Sequence, residues 1–145
     1  MTYPDPAVIQ AVSARFVPLR LDHRDPNVRQ LNLLWLPTLY VLDKRGAIHY
    51  RSVNALPPAD LLDVLDLGEA HARMKGGKAE LAERLLRAAL DRRDHGPLTD
   101  ELLYWWGIAR YFTGGHDHAA RDEAWAQLRE RYPDSIWSHR IPVRP

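Results

Sequence analysis

The chain has 145 residues, which suits one domain or two small ones, and its 46% hydrophobic and 27% charged residues are ordinary for a globular protein that buries a core. Twenty basic and nineteen acidic residues give a formal net charge of +1 and alternate in sign along the chain, which excludes the positive field typical of a nucleic-acid-binding protein. The chain has no cysteine, which excludes a thiolate nucleophile, disulfide exchange and a cysteine metal site.

Membrane and export signals are also missing from the sequence as given. No apolar run approaches the roughly 20 residues that span a bilayer. The first residues, MTYPDPAV, contain neither the basic nor the apolar region of a signal peptide. We therefore expect a cytoplasmic protein without a membrane partner. A longer native chain would leave a periplasmic or exported location open.

The first 31 residues predict two short helices around one strand. Asp5 is placed to cap a helix over about residues 6–15, where apolar residues recur at helical spacing. The alternating stretch FVPLRLD, residues 16–22, predicts a strand, although Pro18 has no N–H for a ladder that is paired on both sides. A short helix then follows over about residues 25–31, where an Asp-Pro pair opens it.

A β-hairpin and a long helix come next. Thr38 to Asp43 is a short apolar run typical of a buried strand, Lys44-Arg45-Gly46 is the turn, and Ala47 to Val53 is the antiparallel partner. Pro57-Pro58 then begins the long helix.

The rest of the sequence is helical and repeats itself with a period of 38 residues. In this register Gly76-Gly77 aligns with Gly114-Gly115, and apolar residues align on both sides. The aligned apolar pairs are Leu65 with Leu103, Leu67 with Trp105, Met74 with Phe112, Ala82 with Ala120, and Leu90 with Leu128. Residues 59–138 therefore predict two helical hairpins, each with a Gly-Gly turn. The period, the Trp106-Gly107 pair, the alanines of the second helix and RERYPDS at residues 129–135 resemble a degenerate tetratricopeptide repeat.

Four stretches of the first 74 residues follow one another in an order known from one protein family: TYPDPAV, FVPLRLD, WLPTLYVLD and GAIHYRSVNALPPADLLDVL. They resemble a thioredoxin-like domain of bacterial thioredoxin family proteins that carry a C-terminal helical extension. The resemblance implies that Pro37 is the cis-proline of the family and that Leu36 offers its backbone to an extended peptide. It also implies that the Cys-x-x-Cys motif and the strand before it precede the stretch that matches TYPDP, where this chain has Met1.

The sequence thus predicts an α/β fold in two parts. Residues 1–66 form a truncated thioredoxin-like sheet of about three strands, and residues 67–145 form an all-α, tetratricopeptide-like extension. By resemblance the missing strand is the middle of the sheet, between residues 16–22 and 38–43, and its loss leaves two rows of backbone groups unpaired. Three outcomes stay open: closure of the two flanking strands into a parallel pair, pairing with a second copy, or a native start further upstream. Of these we expect the homodimer.

The candidate binding site lies at the start of the second predicted strand, at Trp35, Leu36, Pro37 and Thr38. An exposed strand edge beside an apolar side chain accepts an added strand, so these residues predict a peptide-binding edge. In the competing interpretation, Trp35 and Pro37 only close the core after the lost strand. That is the commoner outcome, because a fold does not imply a retained site.

Two polar clusters predict structural roles rather than metal binding. His116-Asp117-His118 has the ligand types of a zinc site, but it lies in a turn where Asp or His caps the following helix. Asp22-His23-Arg24-Asp25 is interpreted in the same way, as a loop that ends in a helix cap. We therefore expect no metal and no cofactor.

Residues 104–112 include five aromatic side chains. At helical spacing most of them are expected to pack as repeat core against Trp125 and Leu128. Trp105 and Trp106 are adjacent and point about 100° apart, so we expect one of them to face a groove or a partner.

No catalytic residue is predicted, because no Ser-His-Asp order, glycine-rich phosphate loop or paired-carboxylate arrangement stands out. The first hypothesis is a non-catalytic thioredoxin-like interaction module that self-associates and binds protein or peptide segments. The second is a thiol–disulfide oxidoreductase whose cysteines lie upstream of the given start, so that this chain alone has no thiol redox activity. A third is a purely structural protein without a ligand.

Overall fold

The computed structural model describes residues 4–31 and 33–142, which form a mixed α/β fold that is mostly helical. The elements in chain order are α1 (Pro6–Arg15), a 3-10 helix (Pro26–Leu31), β1 (Thr38–Leu42), β2 (Ile48–Val53), α2 (Pro58–Lys75), α3 (Ala79–Arg92), α4 (Thr99–Thr113), α5 (His118–Arg131) and α6 (Ile136–His139). Within these residues, no helix has both the length and the apolar character needed to cross a membrane.

The first helix is confirmed as predicted. The side chain of Asp5 accepts hydrogen bonds from the backbone N–H groups of Ala7 and Val8, at 2.9 and 3.2 Å, and so satisfies two donors at the start of α1. Val8 is buried in the cluster beneath the sheet. The N-terminal cap therefore fixes the point at which α1 starts to pack on α2.

The hairpin forms a two-stranded antiparallel sheet. Thr38 lies opposite Val53 and Val41 lies opposite Tyr50, after which β2 contains one extra residue, His49, and Leu42 lies opposite Ile48. The carboxylate of Asp43 closes the turn, since it accepts the N–H groups of Arg45 and Ala47. One face of the sheet packs on α2, where Val41 fills the space left by Gly68.

The predicted strand over residues 16–22 is wrong, and the sheet has two strands rather than about three. Residues 16–22 pair with no other part of the described chain, and Val17 and Leu19 are 95% and 78% exposed. A strand requires a neighbour with which to share its backbone hydrogen bonds, and β1 forms no ladder with this segment. Direct closure into a parallel pair is therefore also wrong for this chain.

The two helical hairpins are confirmed, and their glycine turns have matching geometry. The N–H of Gly76 bonds to the carbonyl of Ala72, and that of Gly114 bonds to the carbonyl of Arg110, each at 3.0 Å. The second glycine of each pair has positive φ, +72° at Gly77 and +65° at Gly115. Glycine ends both helices because it adopts this left-handed conformation without a Cβ clash.

Most of the buried hydrophobic residues form two clusters that meet at α2. The smaller cluster lies between the sheet, α1 and α2, and the larger one fills the space among the helices from α2 onward. Leu65 belongs to the smaller cluster and Leu67 to the larger one. The predicted division between residues 66 and 67 therefore falls inside a continuous helix.

Three of the five aromatic residues of α4, namely Tyr104, Trp105 and Trp106, pack in the repeat core as predicted, whereas Phe112 is 48% exposed. Tyr104 stacks on Trp125 at a centroid distance of 5.3 Å. Trp106 is buried, and Trp105 lies between His71, at 4.3 Å, and Trp137, at 6.1 Å. Trp105 is thus only partly buried beside α2 and α6, and the expectation that one of the two tryptophans faces a groove or a partner stays a prediction.

An ion-pair network joins α2 to α3 and α1. The side chains of Asp63 and Asp66 are only 2% and 1% exposed. Arg92 contacts both of them, at 2.7 and 2.8 Å. Arg93 adds a 2.5 Å contact to Asp63, and Arg15 of α1 adds a 2.6 Å contact to Asp66. The network satisfies carboxylates that would otherwise be buried as unpaired charges.

Candidate functional site

The residues predicted to bind a peptide lie at the surface, at the start of β1. Trp35 and Leu36 are 66% and 52% exposed, Pro37 is exposed, and Thr38 is partly buried. The Leu36–Pro37 peptide bond is cis, and the hydroxyl of Thr38 donates to the carbonyl of Trp35 at 2.5 Å. The interpretation that Trp35 and Pro37 close the core is wrong, because both are exposed to solvent. Peptide binding by these residues stays a prediction.

The outer edge of β1 offers a free row of backbone groups. Asn54 donates to the carbonyl of Pro37 at one end of the ladder, and Asp43 donates to the carbonyl of Ala47 at the other. Residues alternate along an antiparallel strand, so the odd-numbered positions bond to β2, and the N–H and C=O groups of Thr38, Tyr40 and Leu42 point the other way. Within residues 4–31 and 33–142, these outward groups make no backbone hydrogen bond.

A pocket of about 620 Å³ opens beside the start of this edge. It is lined by Arg20, Leu21, Asp22 and His23 on one side and by Leu36 and Pro37 on the other. The segment over residues 16–22 begins with Phe16, which packs against the cluster that contains Val41. The pocket thus separates residues 20–23 from residues 36–37, and residues 16–22 form no ladder with β1.

Exposed apolar side chains flank the pocket. Five large ones occur in two short segments, namely Val17, Leu19, Leu34, Trp35 and Leu36. Single exposed apolar residues are normal on a protein surface, but a group beside an unpaired strand edge is typical of an interaction surface. We call this region, consisting of residues 16–23, residues 33–37 and the outer side of β1, the edge surface.

The outer edge of β2 is less suited to pairing than that of β1. The extra residue, His49, forms a bulge, and bulges are one of the devices that blunt a sheet edge. The bulge is held on both sides: the ring of His49 lies 3.1 Å from the carboxylate of Asp43, and the ring of His71 lies 3.1 Å from the carbonyl of His49. The hydrogen bond from His49 lowers the pKa of Asp43, as do two backbone N–H groups.

A group of titratable side chains connects β2 with α2 and α4. The hydroxyl of Tyr50 donates to Glu101 at 2.8 Å, and the ring of His71 lies 5.8 Å from that of Tyr50. Burial raises the pKa of Tyr50 and of Glu101, and it lowers the pKa of His71. Sequence reasoning missed this group, because its members are far apart in the chain and belong to no motif. Its role in the described structure is to join the sheet to the helices.

The two polar clusters of the sequence contribute helix and loop caps. Asp117 accepts the N–H groups of Ala119 and Ala120, at 2.8 and 3.2 Å, and so caps α5 as predicted. Asp25 accepts the N–H of Asn27 at the start of the 3-10 helix. No group of three or more potential metal ligands occurs among the residues that the structure describes.

In comparisons with known proteins, no family model, no curated protein and no solved structure matches this chain.

Proposed function

We propose that the chain is a non-catalytic protein-interaction module with a truncated thioredoxin-like N-terminal part and tetratricopeptide-like hairpins. Its edge surface binds an extended segment of a protein as an additional strand. In the absence of another partner, the chain self-associates into a homodimer through the same surface.

The observation that carries this proposal is the free edge of β1. Three successive outward residues present unpaired backbone donors and acceptors, and these give an added strand its affinity. The adjoining exposed side chains, Trp35 and Leu36 among them, supply the apolar area that such a strand would cover. The absence of cysteine is consistent with binding rather than thiol chemistry.

Sedimentation velocity over a concentration series from about 1 to 100 µM tests self-association. We expect the wild-type chain to shift from monomer to dimer in this range, because a small interface of this kind supports micromolar affinity. Trp35→Glu places a charge on the edge surface and should keep the chain monomeric. The matched control is Ile136→Glu, which alters an apolar residue of similar exposure, 60% against 66%, at the start of α6 and should leave the dimer intact.

A second variant separates backbone pairing from apolar contact. Leu42→Pro removes an outward N–H of β1 and leaves the bonds to β2 in place. We expect it to weaken the dimer while the far-UV circular dichroism stays that of the wild type. A wild-type chain that is monomeric throughout and binds no extended peptide would contradict the proposed function.

A further inference from the structure

We propose that the edge surface selects an acidic extended segment, one with a carboxylate near its C-terminal end that pairs with Arg20. The inference rests on the proposed function and names the chemistry of the partner: an apolar strand of another protein that carries a glutamate or aspartate.

The first argument is the unpaired charge of Arg20. This side chain lines the pocket beside β1, and it has no ion pair or side-chain hydrogen bond within the described residues. The nearest acidic residue in sequence is already engaged: Asp22 accepts the N–H of Arg24 at 2.9 Å and lies 3.4 Å from the ring of His23. Arg20 is thus left as a free cation at the mouth of an apolar gap.

The second acid of this loop is engaged as well. Asp25 accepts both the backbone N–H and the side-chain amide of Asn27, at 2.8 and 2.9 Å. Its carboxylate therefore caps the start of the 3-10 helix. Among the charged side chains that line the pocket, Arg20 is the one without an ion-pair or hydrogen-bond partner in the described residues, since Asp22 contacts the ring of His23.

Several arginines of the helical part already have a carboxylate partner. Arg92, Arg93, Arg110 and Arg131 each contact a carboxylate at 2.8 Å or less. An arginine that lacks such a partner, next to Leu36 and Pro37, has its donor fork available for a carboxylate from outside.

The geometry of an added strand predicts which end of the bound segment carries the carboxylate. Antiparallel ladders are more stable than parallel ones, so an added strand runs opposite to β1. Its C-terminal end then lies at the start of β1, where Arg20 lines the pocket. Five residues of β1 span roughly 17 Å, so a ligand of about seven residues covers the edge and reaches Arg20.

The test uses fluorescein-labelled, terminally blocked peptides and fluorescence anisotropy with the full chain. The probe is VTVTVEV, and its matched controls are VTVTVQV, VTVTVKV and the position control VEVTVTV. We expect VTVTVEV to bind about three- to fivefold more tightly than VTVTVQV, since a partly exposed ion pair contributes up to about 1 kcal/mol. In 1 M salt, where the Debye length falls to about 3 Å, the preference should vanish.

Protein variants assign the preference to one side chain. In Arg20→Gln, the affinities for VTVTVEV and VTVTVQV should become equal, while the affinity for VTVTVQV stays that of the wild type. Arg129→Gln changes an exposed arginine of α5, far along the chain, and should leave the preference unchanged.

The outcomes separate this inference from the function on which it rests. Equal binding of the Glu, Gln and Lys peptides, or a preference for VEVTVTV, overturns the inference and leaves a strand-binding module in place. If the chain sediments as a dimer at the titration concentration and no peptide dissociates it, the second copy is the occupant and the inference fails. If the chain is monomeric and binds no peptide, the result contradicts the proposed function itself.

Discussion

Arg92→Met tests the buried ion-pair network that joins α2 to α3. The change removes a guanidinium that contacts two nearly fully buried carboxylates, Asp63 and Asp66. Leaving a buried charge without its partner costs about 3–5 kcal/mol. Here each carboxylate keeps one other arginine, and the side chain of Arg92 is 37% exposed, so we expect a loss of about 2–3 kcal/mol in the free energy of unfolding.

Urea unfolding followed by tryptophan fluorescence measures this loss, since the chain has five tryptophans. The control is Arg84→Met, the same substitution on the same helix, where the ion pair with Glu80 is exposed and 3.4 Å long. Methionine and arginine have similar helix propensities, so the control should lose less than about 0.5 kcal/mol. Equal losses in the two variants would refute the role given to the buried network.

Three further predictions concern packing, pH and chemistry. A Cβ at Gly68 would lie 2.5 Å from the Cβ of Val41, so Gly68→Ala should cost about 1–3 kcal/mol, and the double variant with Val41→Ala should lose less than the sum of the single losses. Burial lowers the pKa of His71, so the unfolded chain binds this proton more readily and stability falls as the pH drops below about 6.5; unfolding at pH 7.5 and 5.5 should show a smaller drop in His71→Phe. The cysteine-free chain should not catalyse insulin reduction by dithiothreitol, and measurable catalysis would contradict our reasoning about the nucleophile.

Local signals account for the part of the fold that the sequence predicts. Asp5 caps α1, and the paired glycines end α2 and α4, because each of these features acts within one turn of the chain. The hairpin of β1 and β2 follows from a short turn between two apolar runs.

The sequence did not predict the features that depend on contacts between residues far apart in the chain. The stretch at residues 16–22 alternates like a strand, but whether it becomes one depends on a neighbour that lies elsewhere in the chain or outside it. The pairs of Arg15 and Arg92 with Asp66 join residues 51 and 26 positions apart, and no spacing rule predicts them. At the candidate site, the sequence indicated Trp35 to Thr38 but did not indicate Arg20, because the pocket that brings it near Pro37 exists only in the folded chain.

The position of α2 between the two hydrophobic clusters has a consequence for how the chain unfolds. A fragment that ends near Leu67 would lose the helices that cover one side of α2, and a fragment that begins there would lose the sheet that covers the other. The amide protons in the middle of α2 should then exchange with solvent only when the whole chain opens, and more slowly than those of α5 or α6. We therefore expect the two parts to unfold in a single transition, as one cooperative unit and not as two domains joined by a linker.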